Sequence, residues 1–479
     1  MSDKIFHQAL KAYCDKVEYM VENEKEISII CHFDTDGIAA GSIISSALVR
    51  IGAKCTIRAV SDLTLSVLDQ LRSENHDFYI FTDLGSRMAN DFHQALDNRW
   101  TIIDHHQIQE EELSTDDNNQ ILNSWKYGID GGKEISAGGI AYMVAITLDK
   151  KNKDLSPIAI VSALGDRQDQ GDKKKLFGIN GEIVKTAESI GLVRTDLDLM
   201  LTGRETRPIH EALAYTTFPY IEGLTWATES CYSLIKNTGI RMIKNGQWCV
   251  LSEISQDEKN AILDAIAKFV TNSSKNKEIN VIDNLLGHTY TLINEDQRSI
   301  LRDAREFSTL LNACGRTGKA GVGSGICMGD RNTQLDEGEK IIAKYRTTLR
   351  NYISHIFAEK WRMIDNGKYI FINGEGLLAE DMVGAISSLL SGSLTLGCRL
   401  VFVRTLTNDG FYKFSSRKSI GSTSKSNLGM IMRQCSESVG GIGGGHSSAA
   451  GCRVPSIKLE EFLSALRNAI LDARFTASS

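Results

Sequence analysis

No run of 18 or more apolar residues occurs anywhere in the 479 residues, which excludes a helix long enough to cross a bilayer. No CxxC pair is found among the ten cysteines, which are scattered singly. That excludes the usual structural zinc site and a disulfide framework, and makes a reducing cytoplasm the simplest location. The start, MSDKIFHQALKAYC, lacks the charged-then-apolar layout of a secretory signal and reads as an amphipathic helix. Proline is scarce, with four residues, two of them beside a block of changed texture described below. An overall excess of basic charge is also missing: 54 Lys and Arg face 60 Asp and Glu, a formal net charge of −6. Phosphate binding usually calls for a basic face, so any polyanionic partner must be met locally. Metal ligands would account for part of the acidity.

What is present is ordinary globular material, 42% hydrophobic and 24% charged, in a chain long enough for two to four domains. Residues 25–170 alternate short apolar runs with amphipathic stretches, which predicts an α/β fold built on a parallel sheet. The runs at 27–31, 55–60, 78–82 and 100–103 are too short for helices. Segments 37–50, 137–148 and 158–164 read as helices between or after them. From about 218 to 294 the pattern weakens around Trp226, Trp248, Leu251 and a helical stretch at 257–270, and the polar run TNSSKNKE follows. Residues 295–360 are helix-rich and charged. From 368 the α/β character returns: YIFI, a helix at 379–390, a strand at 399–403, FYKFSSR, a Gly-rich segment and a last helix near 459–473.

The acids fall at telling places. Asp34 and Asp36, Asp83, and Asp104 directly follow apolar runs in ISIICHFDTDG, FYIFTDLGS and WTIIDHHQ. In an open parallel sheet such positions meet at the carboxyl ends of the strands, where ligands bind. Alternation along an extended segment points His32, Asp34 and Asp36 the same way. Oxygen and imidazole donors without thiolate favour Mn²⁺ or Mg²⁺ over Zn²⁺, Co²⁺ or Fe²⁺. Two such ions about 3.5–4 Å apart activate a water and stabilise both oxygens of an in-line phosphoryl displacement. One carboxylate must then bridge, and Asp83, from a middle strand, is the natural candidate. A single aspartate after a strand is more often a cap or turn former, but the set is hard to read that way. An EF-hand loop beginning at DxDG would need Glu where Ser45 stands. GRTGKAG fails as a phosphate loop, because Ala320 follows Lys319 and Ala313 replaces the required first glycine.

HFDTDG, FTDLG and IDHH, in this order, resemble the first three motifs of the DHH phosphoesterases, and ALGDRQD resembles the fourth. The resemblance implies that His32 and Asp34 ligate one ion, that Asp36, His105 and Asp166 ligate the other, and that Asp83 bridges. Asp104 and His106 would orient those ligands or face phosphate, giving Asp83, Asp104 and His106 as the catalytic candidates. Asp169 is the weaker choice for the helix-end ligand in GDRQD.

GGIGGGHSSAAG at 440–451 is similar to the substrate-binding domain that accompanies DHH domains. Glycines let backbone amides approach an anion, and Gly444, Gly445 and His446 become phosphate-binding candidates. In FSSR, Arg417 would clamp phosphate beside Ser415. The stretch 401–434 carries six basic residues (Arg404, Lys413, Arg417, Lys418, Lys425, Arg433) against one acid, Asp409. LLNACGR resembles the RecJ-type connector, with Asn312 and Arg316 on strand or phosphate, and TGRETRP resembles archaeal RecJ-like sequences.

The organisation implied is a DHH catalytic domain at 1–217, an inserted protein-interaction domain at 218–294, a helical connector at 295–365 and a smaller C-terminal α/β domain at 366–479. The function implied is a two-metal single-strand exonuclease of DNA replication or repair, acting on single-stranded DNA or RNA. A GINS-type replication protein is the partner suggested by the inserted block, and Tyr412 and Phe414 are either core residues or candidates for stacking on bases. An oligoribonucleotide or cyclic-dinucleotide phosphodiesterase and a non-enzymatic replication-fork scaffold are the alternatives.

Overall fold

Apolar runs bounded by charged, helical stretches bury both faces of a strand, and the first half of the chain builds such a sheet. A computed structural model describes residues 2–108, 120–273, 281–393, 399–420 and 422–471. The chain divides into two compact units, Met1–Asp198 with Gly287–Ala343, and Leu199–Leu286 with Lys344–Ser479.

The first unit opens with α1 (Ser2–Glu22), β1 (Ile27–His32), α2 (Thr35–Arg50), β2 (Cys55–Val60), α3 (Leu65–Glu74), β3 (Phe78–Thr82), α4 (Ala89–Leu96), β4 (Trp100–Asp104) and β5 (Ile121–Asn123). The five strands are parallel in the order β2-β1-β3-β4-β5. The three central strands are buried almost throughout, whereas the edge strand β2 is part-exposed. One face carries α3 and α4. There Phe92 packs between Phe81 and Trp100, ring centroids 4.4 and 5.1 Å apart, each ring contributing roughly 1.5–3 kcal/mol through burial. The other face carries α2, packed on α5 (Ala137–Leu148) and α6 (Ser156–Gly165). The strand order reverses between β1 and β3, so the loops after these two strands diverge and leave a crevice at their carboxyl ends. Next come α7 (Gly178–Ser189) and β6 (Val193–Leu199).

The middle block comprises α8 (Ile209–Tyr215), α9 (Thr228–Asn237), β7 (Ile243–Lys244), β8 (Gln247–Trp248), α10 (Gln256–Ser273) and α11 (Val281–Leu285). It has its own core, including Leu213, Leu224, Ile235, Leu251, Ile262 and Ile266. The predicted polar run is described only as far as Ser273, and its remainder, 274–278, lies outside the described residues. β9 (Leu286–Leu292) pairs with β6, and α12 (Ala304–Arg316), α13 (Ala320–Cys327) and the 26-residue α14 (Thr333–Ala358) follow.

The C-terminal part holds β10 (Met363–Asp365), β11 (Tyr369–Asn373), α15 (Val383–Ser391), β12 (Leu400–Leu406), β13 (Phe411–Lys418), α16 (Leu428–Glu437), β14 (Ile442–Gly445), β15 (Ala449–Pro455) and α17 (Leu459–Leu471). They form a mixed six-stranded sheet, β10-β11-β12-β13-β15-β14. Alternate residues of its strands feed two cores, with Val401 and Val403 in one and Phe402 and Phe414 in the other. The helix expected at 379–390 is split: a 3₁₀ turn at Glu380–Met382 precedes α15.

Candidate metal centre

Beyond His32 the chain turns sharply, and Asp34, in extended conformation, caps α2 by accepting the Gly37 amide at 3.1 Å. A Cβ at Gly37 would collide with the His32 carbonyl, so the glycine is what lets the loop fold back over the strand end. Asp34 is therefore a helix cap and a site residue at once. Asp36, in the first turn of α2, is buried and accepts the Ala137 and Gly138 amides (2.9 and 2.8 Å) and the Ser162 hydroxyl. These two amides open α5, so a positive helix end faces the carboxylate.

Asp83 follows β3 with φ +64°, a left-handed conformation uncommon for any residue with a Cβ. That backbone directs a buried carboxylate into the crevice. Its Oδ2 lies 3.4 Å from His32 Nδ1, and its Oδ1 lies 3.2 Å from His105 Nε2 and 3.8 Å from His106 Nδ1. His105 Nδ1–H donates to the Gly131 carbonyl at 2.5 Å, which directs Nε2 toward Asp83 and toward Asp36 Oδ2 at 3.3 Å. Asp166 closes α6, with Oδ2 3.7 Å from His105 Nδ1. Asp104 binds the His105 and His106 amides (2.8 and 3.2 Å), the Ser86 amide (3.3 Å) and His106 Nδ1 (2.8 Å). It fixes the turn and orients the half-exposed His106.

Three groups of donors lie close enough to share an ion: His32, Asp34 and Asp83; Asp36, His105 and Asp166; and Asp83, Asp104, His105 and His106. The residues fit a divalent cation. His32 Nδ1 is 3.1 Å from Asp34 and 3.4 Å from Asp83 without a hydrogen bond to either, and Asp83 Oδ1, equally buried, has no hydrogen bond. Buried oxygen and nitrogen donors that converge without hydrogen bonds are the arrangement a shared cation would satisfy in place of the imidazole proton. Cys31, the thiol beside the site, packs toward Gly41 of α2, and burial pushes its pKa up, so the donor set is oxygen and nitrogen.

The electrostatics follow from the crowding. Burial opposes charge on His32, but Asp34 and Asp83 outweigh it and hold the imidazole well above its ordinary range. His105 is raised in the same way, against burial, by Asp166, Asp83 and Asp36. Burial and the neighbouring Asp83 push Asp36 up to about 7. Asp34 and Asp104 go the other way despite burial, held far down by His32 and His106 respectively.

Asp169 points away from the cluster's chemistry: it pairs with Arg305 of α12 at 2.7 Å. That helix carries Asn312, whose Oδ1 accepts Arg316 Nε at 3.1 Å, and the Arg316 guanidinium lies 5.8 Å from the Phe33 ring, beside the His32–Asp34 turn. In the C-terminal sheet Arg417 and Ser415 of β13 stand opposite Ala449 and Gly451 of β15. Gly444 and Gly445 belong to the edge strand β14, and His446 opens the turn back, its amide bonding Ala449 at 2.7 Å. Much of the glycine here serves packing, since a Cβ at Gly443 would meet Ser436, Cys452 and the Met432 carbonyl. Tyr412 and Phe414 are core residues and present no face to a base.

Sequence reasoning missed the supports. Gln168 is fully buried, donating to the Gly131 carbonyl and to Asp166 (both 2.8 Å) and accepting from Asn180 at 2.6 Å. It lies inside ALGDRQD, between two acids that draw attention away from it. Gln168→Ala is expected to cost about 1–3 kcal/mol by stranding Asn180 and to weaken Mn²⁺ binding about 10–100-fold. Thermal melting and a Mn²⁺ titration read the two effects, and an affinity within threefold of wild type rules out the orienting role.

Three family profiles match the chain: the DHH family N-terminal domain over residues 26–165, the DHH-CID domain over 201–286 and the DHHA1 domain over 378–472. An uncharacterized protein of Methanocaldococcus jannaschii is 30% identical over 441 residues, 91% of each chain. Among solved structures, CDC45 from Entamoeba histolytica aligns over 97% of this chain and 99% of its own with a TM-score of 0.63 at 13% identity. RecJ from Thermus thermophilus, in complex with Mn²⁺, aligns over 97% of this chain at 15% identity and a TM-score of 0.58; the match spans 55% of that protein. These two likenesses are of fold.

Proposed function

Since the chain belongs to the DHH superfamily, we propose that it is a metal-dependent phosphodiesterase that shortens single-stranded DNA or RNA from an end, using two Mn²⁺ or Mg²⁺ ions. The observation that carries this reading is the Asp83 carboxylate, one oxygen facing His32 and the other facing His105. His32, Asp34 and Asp83 would hold one ion, and Asp36, His105, Asp166 and Asp83 the other. When bound, such ions lower the pKa of water and neutralise charge gathering on the phosphoryl oxygens. The chain's own residues do the rest. Asp104 ties His106 through Nδ1, so the exposed imidazole presents its other edge to a phosphate oxygen. The Ala137 and Gly138 amides and Ser162 keep Asp36 from turning away. Arg316 beside the His32–Asp34 turn, and Arg417, Ser415 and the segment Gly444–His446 in the C-terminal sheet, would bind the strand's phosphates. Both ions are reported in complexes of Thermus thermophilus RecJ, one structure with Mn²⁺ and another with Mg²⁺.

A role in DNA replication or repair, a GINS-type partner at the middle block and a cytoplasmic location belong to the same proposal. Among the described residues no helix is long and apolar enough to cross a membrane, and the nine described cysteines are free. The test is digestion of 5′- and 3′-labelled single-stranded DNA and RNA with Mn²⁺, Mg²⁺ or chelator. Stepwise, metal-dependent shortening of long strands is expected. Release from di- to penta-nucleotides alone would replace the exonuclease by an oligonucleotide hydrolase. No cleavage by protein that still binds Mn²⁺ would favour a scaffold.

A further inference from the structure

The middle block carries a feature the metal centre does not use. Between Glu229 and Glu253 the chain, acidic overall, has three basic residues, Lys236, Arg241 and Lys244, and no acid. β7 and β8 form a two-residue hairpin closed by Asn245 and Gly246, both left-handed (φ +52° and +76°), the signature of a tight, pre-set turn. Ile243 and Trp248 are cross-strand partners, so their side chains share a face, and both are exposed at 45% and 39%. Tyr232 of α9 joins them, 37% exposed. Behind the two rings sits His210 of α8, its centroid 5.0 Å from Trp248 and 5.4 Å from Tyr232.

His210 is buried, and its Nδ1 has no hydrogen-bond partner. Burial lowers its pKa, against the pull of Glu211, so the ring is neutral and can give or take a hydrogen bond. Of the acids on adjoining elements, Glu211 pairs with Arg207 at 3.6 Å, and Glu258 accepts the Ser255 amide at 2.8 Å and also feels the charge of Lys244, while Glu229 and Asp257 stand in the first turns of α9 and α10. A protein core has no use for two half-exposed aromatic rings over an unsatisfied imidazole. A single strand does, since each base has a face to stack and each linkage a charge to neutralise.

We propose that Trp248 and Tyr232, with His210 beneath them, form a base-stacking platform for a nucleic-acid single strand, separate from the cleavage residues, with positive charge supplied by Arg241 and Lys244 of the same hairpin segment. The platform rests on the nuclease reading for its ligand class. It supplies the stacking that the buried Tyr412 and Phe414 cannot.

The experiment uses the full chain with metal chelated, so that binding is read without cleavage, and two fluorescent 20-mers, one carrying bases and one fully abasic. Wild type is expected to prefer the base-bearing strand. Trp248→Ala should weaken that strand at least about fivefold, the lower bound for one stacked base, and leave the abasic strand unchanged. Trp248→Phe should retain most of the binding. Lys244→Glu, on the exposed hairpin where folding is not at stake, should weaken both strands and reduce the salt slope by about one. Wild-type affinity of Trp248→Ala for the base-bearing strand overturns the proposal, as does equal loss for both strands. Loss of a protein partner with strand binding intact also overturns it and makes the patch a protein-docking surface. None of these results bears on cleavage. The nuclease reading fails separately, if wild type with Mn²⁺ leaves labelled strands whole.

Discussion

Asp83→Asn is expected to abolish metal-dependent cleavage while leaving the fold intact. Asparagine keeps the side-chain shape and, like aspartate, tolerates the left-handed backbone found at this position. What it loses is the second anionic oxygen. The Asp83 carboxylate faces His32 with one oxygen and His105 with the other. A carboxamide must offer an N–H₂ donor to one of the two sides, where the imidazole is held above its usual pKa and already protonated. Residues that merely orient metal ligands cost about 10–100-fold when replaced, so the loss for a shared ligand should exceed about 100-fold in kcat/KM. Thermal unfolding without metal should show a partial loss of stability and not loss of the fold, because the change removes a carboxylate that offsets the His32 and His105 charges while it relieves the repulsion on buried Asp36. Cleavage within tenfold of wild type would show that Asp83 does not join the two donor sets. Asp83→Ala is the less informative variant, since alanine also pays roughly 1–2 kcal/mol for the left-handed backbone.

How much of this is legible in the sequence depends on which forces act locally. The runs at 27–31, 55–60, 78–82 and 100–103 become β1 to β4 with at most one residue of difference. For β1, β3 and β4 the reason is that a buried parallel strand needs near-continuous apolar residues, whereas the edge strand β2 tolerates Thr56 and Arg58. β5 is not legible: ILN is too short to register, and it exists because β4 offers it an edge. The aspartates of the crevice are legible because each follows a strand. Their supports are not. Ser162 and Gln168 reach Asp36 and Asp166 from positions that look like an ordinary helix and its end, and nothing in a linear pattern reports which way a buried polar side chain turns. Asp169 looks like a competing ligand for the same reason, until Arg305, 136 residues away, emerges as its partner. The Gly-rich segment reads as a loop for anions. In the fold it is an edge strand whose close approach to α16 requires Gly443. Of the two readings open for Tyr412 and Phe414, core or stacking, the sheet core holds both, while Trp248 and Tyr232, in the block with the weakest pattern, are left at the surface.

Metal binding should release protons and tighten with rising pH. In the cluster without metal, the carboxylates hold His32 and His105 protonated well above the ordinary histidine range, and Asp36 keeps its proton to about 7. A cation needs the neutral imidazole and the ionised carboxylate, so each of these protons must leave when it binds. The sign is the same for all three: below their pKa values the proton competes with the ion, and above them it does not. Each proton released steepens the affinity by up to about tenfold per pH unit, because one unit is worth about 1.36 kcal/mol per proton. Between pH 6 and 7 the expected rise in Mn²⁺ affinity therefore exceeds tenfold. It should flatten by one proton above about pH 7, where Asp36 is ionised, and continue while the imidazoles titrate. Calorimetry at a fixed pH in buffers of different ionisation enthalpy counts the protons directly, and more than one per protein is expected at pH 6. A count near zero, with affinity independent of pH, would mean that the ion binds elsewhere and leaves the His32, His105 and Asp36 protons in place. Since proton release is measured on the protein and metal alone, the result is independent of which strand is the substrate.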